Sequence, residues 1–164
     1  KIKPNIESNQ NFAKQLAEKI YLKIPIIIGS GILTAVARRA KQQINENSKT
    51  CSFFEELPEM NHNSIVGLEF PQDLKEKIFF IFLQSAYNHP RNQVRFQILQ
   101  SIFDQKNIGY ESVIIQPSQS RISEIINVIS FVDFVSYYLS LLNKIDPTSV
   151  EIINYFKDKL NHEK

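Results

Sequence analysis

The chain has 164 residues, 43% of them hydrophobic and 22% charged, with a formal net charge of +2. This is ordinary globular composition at the length of one domain with a single core. The charge is too small to point to nucleic acid.

The opening KIKPN has no initiator methionine and no apolar secretory segment, so the chain is expected to derive from a longer or processed product. Phe12, Leu16 and Ile20 recur at helical spacing and predict a helix over Asn9–Lys23, capped by Ser8 and stopped before Pro25. IPIIIGSG reads as a buried strand of a parallel sheet, with a helix from Ile32 to about Asn45 directly after it. Ser52–Leu57 is a short strand, and Pro58–Gly67 a short helix entered through proline. Cys51, the lone cysteine, rules out an intramolecular disulfide and fits a reducing cytoplasm. Its neighbours Phe53 and Phe54 predict a buried, inert thiol.

Lys77–Ser85 is the next strand. A helix over Pro90–Gln105 follows, with Val94, Ile98, Ile102 and Phe103 as its expected apolar face. Glu111–Pro117 is a strand, Ser118–Leu142 a long helix, and Pro147 or Thr148 to Leu160 a closing helix. The long helix is apolar enough to suggest a membrane span, but Glu124, Asn127 and Asp133 interrupt it. It is read as a central helix, with no membrane partner. Alternating strands and helices predict an α/β fold, a three-layer αβα sandwich around a parallel sheet.

Three places carry candidate chemistry. Gly29, Ser30 and Gly31 follow a strand and open a helix, where backbone amides cradle phosphates; a tight turn explains the same glycines equally well. No dinucleotide or nucleoside-triphosphate fingerprint is present, no histidine pair has metal-ligand spacing, and no cofactor is implied. His62 lies in the polar stretch ELPEMNHN, where it serves either as a surface residue or as an acid–base group. Glu46 ends a helix in NENSK. A carboxylate there meets the unfavourable end of the helix dipole, a cost that either is mere punctuation or marks function.

QQINENSK, FFEELPEMNHNSIVG, NHPRNQVR, SFVDFVSYYLSLLNKIDPTSVEII and NYFKDKL, in that order, resemble the C-terminal half of bifunctional phosphoglucose/phosphomannose isomerases. The resemblance covers the chain after Ile24 and implies one sugar isomerase (SIS) domain over residues 1–164 with flavodoxin-like topology. It implies Glu46 as the proton-transfer base, His62 as the ring-opening group and Lys157 as the cation near the chain end, with Lys159 its competitor. Thr148 is similar to a substrate-binding threonine, and Ser30 and Gly31 are the expected substrate-binding turn. Ser48 stands where relatives usually have alanine, and Ser64 where they often have glutamate.

The implied reaction interconverts glucose 6-phosphate or mannose 6-phosphate with fructose 6-phosphate. The implied partners are a second copy, in a homodimer, and an N-terminal SIS domain that grips phosphate. No equivalent phosphate-gripping loop is found in this chain, so alone it is expected to be inactive. The alternatives are a non-catalytic SIS module that binds or senses a sugar phosphate, and an interaction domain that merely dimerises through its long helix.

Overall fold

The computed structural model describes residues 2–114 and 120–163. In chain order the elements are α1 (Phe12–Ile20), β1 (Ile24–Gly29), α2 (Thr34–Ser48), β2 (Phe53–Glu56), α3 (Leu74–Lys77), β3 (Ile78–Gln84), α4 (Pro90–Lys106), β4 (Tyr110–Ile114), α5 (Arg121–Leu142) and α6 (Glu151–His162). Residues 115–119, the expected end of the last strand and start of the long helix, lie outside the described residues.

The strands form one parallel sheet in the order β2-β1-β3-β4, the flavodoxin-like order expected of the sequence. Successive side chains of a strand point to opposite faces, and the β1 isoleucines divide the core accordingly. Ile27 packs with Ile81, Leu83 and Val113 under α1, α2 and α5. Ile28 packs with Phe80 and Phe82 under α4 and the segment around Leu57 and Met60. These are the three layers of an αβα sandwich. The right-handed crossover rule accounts for the division. The chain steps one way from β1 to β2 through α2, then the other way from β2 to β3 and from β3 to β4, so the later connections cross the opposite face.

Several expectations are corrected. α1 begins at Phe12 and ends at Ile20, because buried Asn11, not Ser8, caps it by accepting from the amides of Ala13 (3.1 Å) and Lys14 (3.2 Å). Pro58–Gly67 is not a helix but two 3-10 turns, Glu59–Asn61 and Val66–Glu69. The side chains of Asn63 and Ser64 bond to Glu59 and Glu55, each at 2.8 Å, and compete with helical pairing. α4 carries two apolar stripes, and the one that the sequence turns inward is largely the outer one. Phe96, Leu99 and Phe103 are buried, while Val94 and Ile98 are 45% and 54% exposed. Aromatic packing decides between the stripes, since Phe82 meets Phe96 and Phe103 at 5.8 and 5.5 Å between ring centroids. Cys51 is exposed, because it precedes β2 rather than lying in it.

α5 is long and apolar enough for a membrane span by length and composition, with a mean hydropathy of 1.7. Its Val128, Phe131, Val132, Val135, Tyr138 and Leu139 are nevertheless buried in the core against α1 and α2.

Gly29 joins β1 to α2 at close range. A Cβ there would stand 2.6 Å from the Leu33 carbonyl oxygen and 2.8 Å from Ala37 Cβ. Gly29→Ala is therefore expected to push α2 off the sheet at a cost of about 1–3 kcal/mol. A thermal midpoint equal to wild type would contradict that close packing.

Candidate functional site

The residues of NENSK occupy the last turn of α2, which ends at Ser48 with Lys49 following in the left-handed region at φ 53°. Four of the five side chains bond to the surrounding structure. Asn45 donates to the Thr50 carbonyl (2.8 Å), Asn47 to Ser136 Oγ on α5 (2.8 Å), and Ser48 to the Ile44 carbonyl (2.6 Å). Lys49 Nζ donates to the carbonyls of Glu46 (2.8 Å), Asp146 (3.2 Å) and Pro147 (3.3 Å). From the other side, Asn143 donates to the Ser48 carbonyl (2.8 Å) and to Thr50 Oγ1 (3.0 Å). The Arg39 guanidinium pairs bidentately with Asp133, at 2.6 and 3.2 Å, and ties the middle of α2 to α5. The carboxylate of Glu46 is the exception. It is exposed, and among the described residues it has no hydrogen-bond or ion-pair partner.

Glu46 lines a cleft of about 360 Å³ with Asn45, Lys49 and residues 149–153, which lead into and begin α6. Thr148 stands just before this wall. Its amide and its hydroxyl both bond Asp146 Oδ1, at 2.8 and 2.7 Å. The hydroxyl bond, then the amide bond, hold the Asp146 carboxyl below its ordinary value. This turn delays the last helix to Glu151, three residues beyond the expected Thr148. Lys157 lies on α6 one turn past Ile153, beyond the residues that line the cleft. Lys159 lies two turns past Ile152, which also lines the cleft, and its ammonium is 5.5 Å from the Tyr155 ring centroid. Glu46 and the segment from Thr148 to the start of α6 therefore gather around one end of α2.

Ser30 and Gly31 do not join them. They sit at the carboxyl end of β1, while Glu46 lies at the far end of α2. At 1.5 Å rise per residue, Thr34 to Glu46 spans roughly 18 Å. Ser30 is fully buried and its Oγ accepts from Asn92 Nδ2 at 2.7 Å. Gly31 has φ 55°, and a Cβ there would stand 2.8 Å from Asn88 Oδ1. Asn88 is 5% exposed, and among the described residues neither end of its amide has a partner. The adjacent α4 terminus offers no free amides at its start. Pro90 has none, Arg91 donates to His89 Nδ1, and Asn92 and Gln93 donate to the His89 carbonyl. This corner presents the Asn88 carboxamide beside Gly31.

His62 is also apart from Glu46, on the other side of the sheet. It ends the turn that contains Met60, whose side chain is buried beneath α4; Glu46 follows Ile44, buried in the opposite layer. His62 is exposed and adjoins a groove of about 370 Å³ between Asn61, Ile65 and the outer stripe of α4. Glu46 and His62 thus follow residues buried in opposite layers of the sandwich.

Sequence reasoning passed over Lys49 and Asn143. A lysine where helices commonly place glycine, directly after the last turn, was the available signal; nothing local pointed to Asn143.

The model of the bacterial phospho-glucose isomerase C-terminal SIS domain matches residues 9–160. A bifunctional phosphoglucose/phosphomannose isomerase of Caldicellulosiruptor bescii is 36% identical over 96% of this chain and 47% of its own length. One of Aquifex aeolicus is 31% identical over 97% of this chain and 49% of its own length. The chain thus spans about half the length of these relatives. The crystal structure of a glucose-6-phosphate isomerase like protein from Thermus thermophilus superposes with a TM-score of 0.75 at 16% identity, over 93% of this chain and 50% of that one, and so shares the fold. With residues 9–160 matched, the chain belongs to the bacterial phospho-glucose isomerase C-terminal SIS domain family.

Proposed function

We propose that this chain is the C-terminal half of an isomerase that interconverts glucose 6-phosphate and mannose 6-phosphate with fructose 6-phosphate in the cytoplasm. The observation that carries the reading is the unpartnered Glu46 carboxylate, in a stretch whose other side chains are all bonded. A bare carboxylate at the mouth of a cleft costs helix stability through the dipole and serves no neighbour. It is what a proton-transfer base requires.

In this reading the Glu46 carboxylate removes the C2 proton of the opened sugar, leaving a cis-enediolate. Once the hydroxyl proton has passed from O2 to O1, Glu46 delivers the proton taken from carbon to C1, giving the ketose. Glucose and mannose phosphates differ at C2 and converge on the same enediolate, so one base serves both. Lys157, on the helix beside the cleft, holds the substrate and stabilises the negative charge that develops on its oxygens. Thr148 binds substrate at the entrance. His62 protonates the ring oxygen so that the cyclic form opens. Because the sheet separates His62 from Glu46, it acts on the substrate held by a second copy, and the active unit is a homodimer. The exposed stripe of Val94 and Ile98, which lines a groove with Asn61, supports a subunit contact there. The phosphate is gripped by an N-terminal SIS domain of the same protein, which the half-length match to the relatives supports. Ser30 and Gly31 keep a substrate-binding role only toward a part of the substrate remote from the Glu46 of their own chain.

Calorimetry with fructose 6-phosphate, beside an isomerase assay of the same intact protein, tests the reading. Turnover with both aldose phosphates is expected. Binding without turnover would make the protein a sugar-phosphate sensor.

A further inference from the structure

We infer that Lys49 is a positioning residue that fastens α6 over the Glu46 cleft. An ammonium has three hydrogens to donate, and here each has an acceptor: the carbonyls of Glu46, Asp146 and Pro147. No donor remains for a substrate, so Lys49 is not a catalytic residue. Its bonds instead join the last turn of α2 to the segment that leads into α6. The backbone at Lys49 points the same way. Its φ of 53° belongs to the left-handed region, which glycine and asparagine enter routinely and a lysine seldom does. A helix end alone would be served by glycine; the lysine side chain has the additional task of reaching the Asp146 and Pro147 carbonyls.

The anchoring matters because α6 has little else to hold it. No residue from Glu151 to His162 is buried. Residues 149–153, which lead into and begin it, line the cleft, and the Asp146–Thr148 turn immediately upstream is the part that Lys49 grips. α6 also carries Lys157. Releasing the Lys49 bonds lets the helix and its cation move away from Glu46 while both side chains remain present.

This inference rests on reading Glu46 and Lys157 as reaction groups, and the test separates the two. In the intact protein, Lys49→Met keeps the stem and removes the donors, while Lys49→Gly also relieves the left-handed backbone. Both are expected to speed amide hydrogen exchange across residues 146–162 several-fold, leaving exchange in the sheet unchanged. Both should lower kcat roughly ten- to hundredfold through misplacement, with Lys49→Arg recovering part of the loss. A Lys49→Gly protein with wild-type exchange in 146–162 and wild-type kcat would overturn the positioning role and leave a helix cap only. Glu46→Gln, run in parallel, should not alter that exchange. If it still turns over substrate, the base reading fails while the exchange result continues to report on Lys49.

Discussion

Glu46→Gln in the intact protein is expected to lower kcat for both aldose phosphates by roughly 10²–10⁴-fold, the contribution of a general base. The fold should be unaffected. Glu46 is exposed and its side chain makes no bond among the described residues. The amide keeps the shape and loses only the ability to take a proton. The thermal midpoint should match wild type or rise slightly, since a negative charge leaves the unfavourable end of α2. A variant with wild-type kcat would remove Glu46 from the mechanism, whatever its stability.

His62→Ala is the second large expectation, and its signature is selectivity for the substrate form. Ring opening precedes proton transfer, so the loss should be roughly 10²–10⁴-fold on a cyclic sugar phosphate. It should be much smaller on an open-chain analogue that bypasses the step. His62 is exposed and holds its turn through its backbone amide, which donates to the Glu59 carbonyl at 2.9 Å. The alanine variant should therefore fold normally. Equal losses on the two substrate forms would argue against a ring-opening role.

Much of the layered fold was legible in the sequence because the relevant signals are local. A run such as Ile24–Gly29 or Ile78–Gln84, apolar throughout and bounded by glycine or loop residues, has one good solution, a strand covered on both faces. Choices between equivalent local solutions were not legible. α4 offers Val94 and Ile98 on one side and Phe96, Leu99 and Phe103 on another, at compatible spacings. Only the aromatic surface of β3, remote in sequence, selects the second set. The start of α1 was missed for a related reason. Ser8 and Asn11 are both good caps, and burial of Asn11 decides.

The candidate site divides in the same way. The motifs placed Glu46 near a helix end, and the structure puts it in the last turn of α2. What no motif conveys is the face of the sheet on which each group lies. That follows from strand order together with crossover handedness, and the order β2-β1-β3-β4 becomes visible only in the assembled sheet. From it comes the separation of Glu46 from His62, on which the proposed need for two copies rests.

That need is the central claim, and subunit complementation tests it most directly. Glu46→Gln and His62→Ala proteins, each nearly inactive alone, are dissociated, mixed in equal amounts and reassembled. If each site takes Glu46 from one copy and His62 from the other, every mixed dimer contains one site with both groups intact. Random reassembly makes half the dimers mixed, so activity should return to about a quarter of wild type. If both groups came from one chain, no mixed dimer would hold an intact site. Activity that stays at the level of the separate variants, with mixed dimers demonstrably present, would contradict the account.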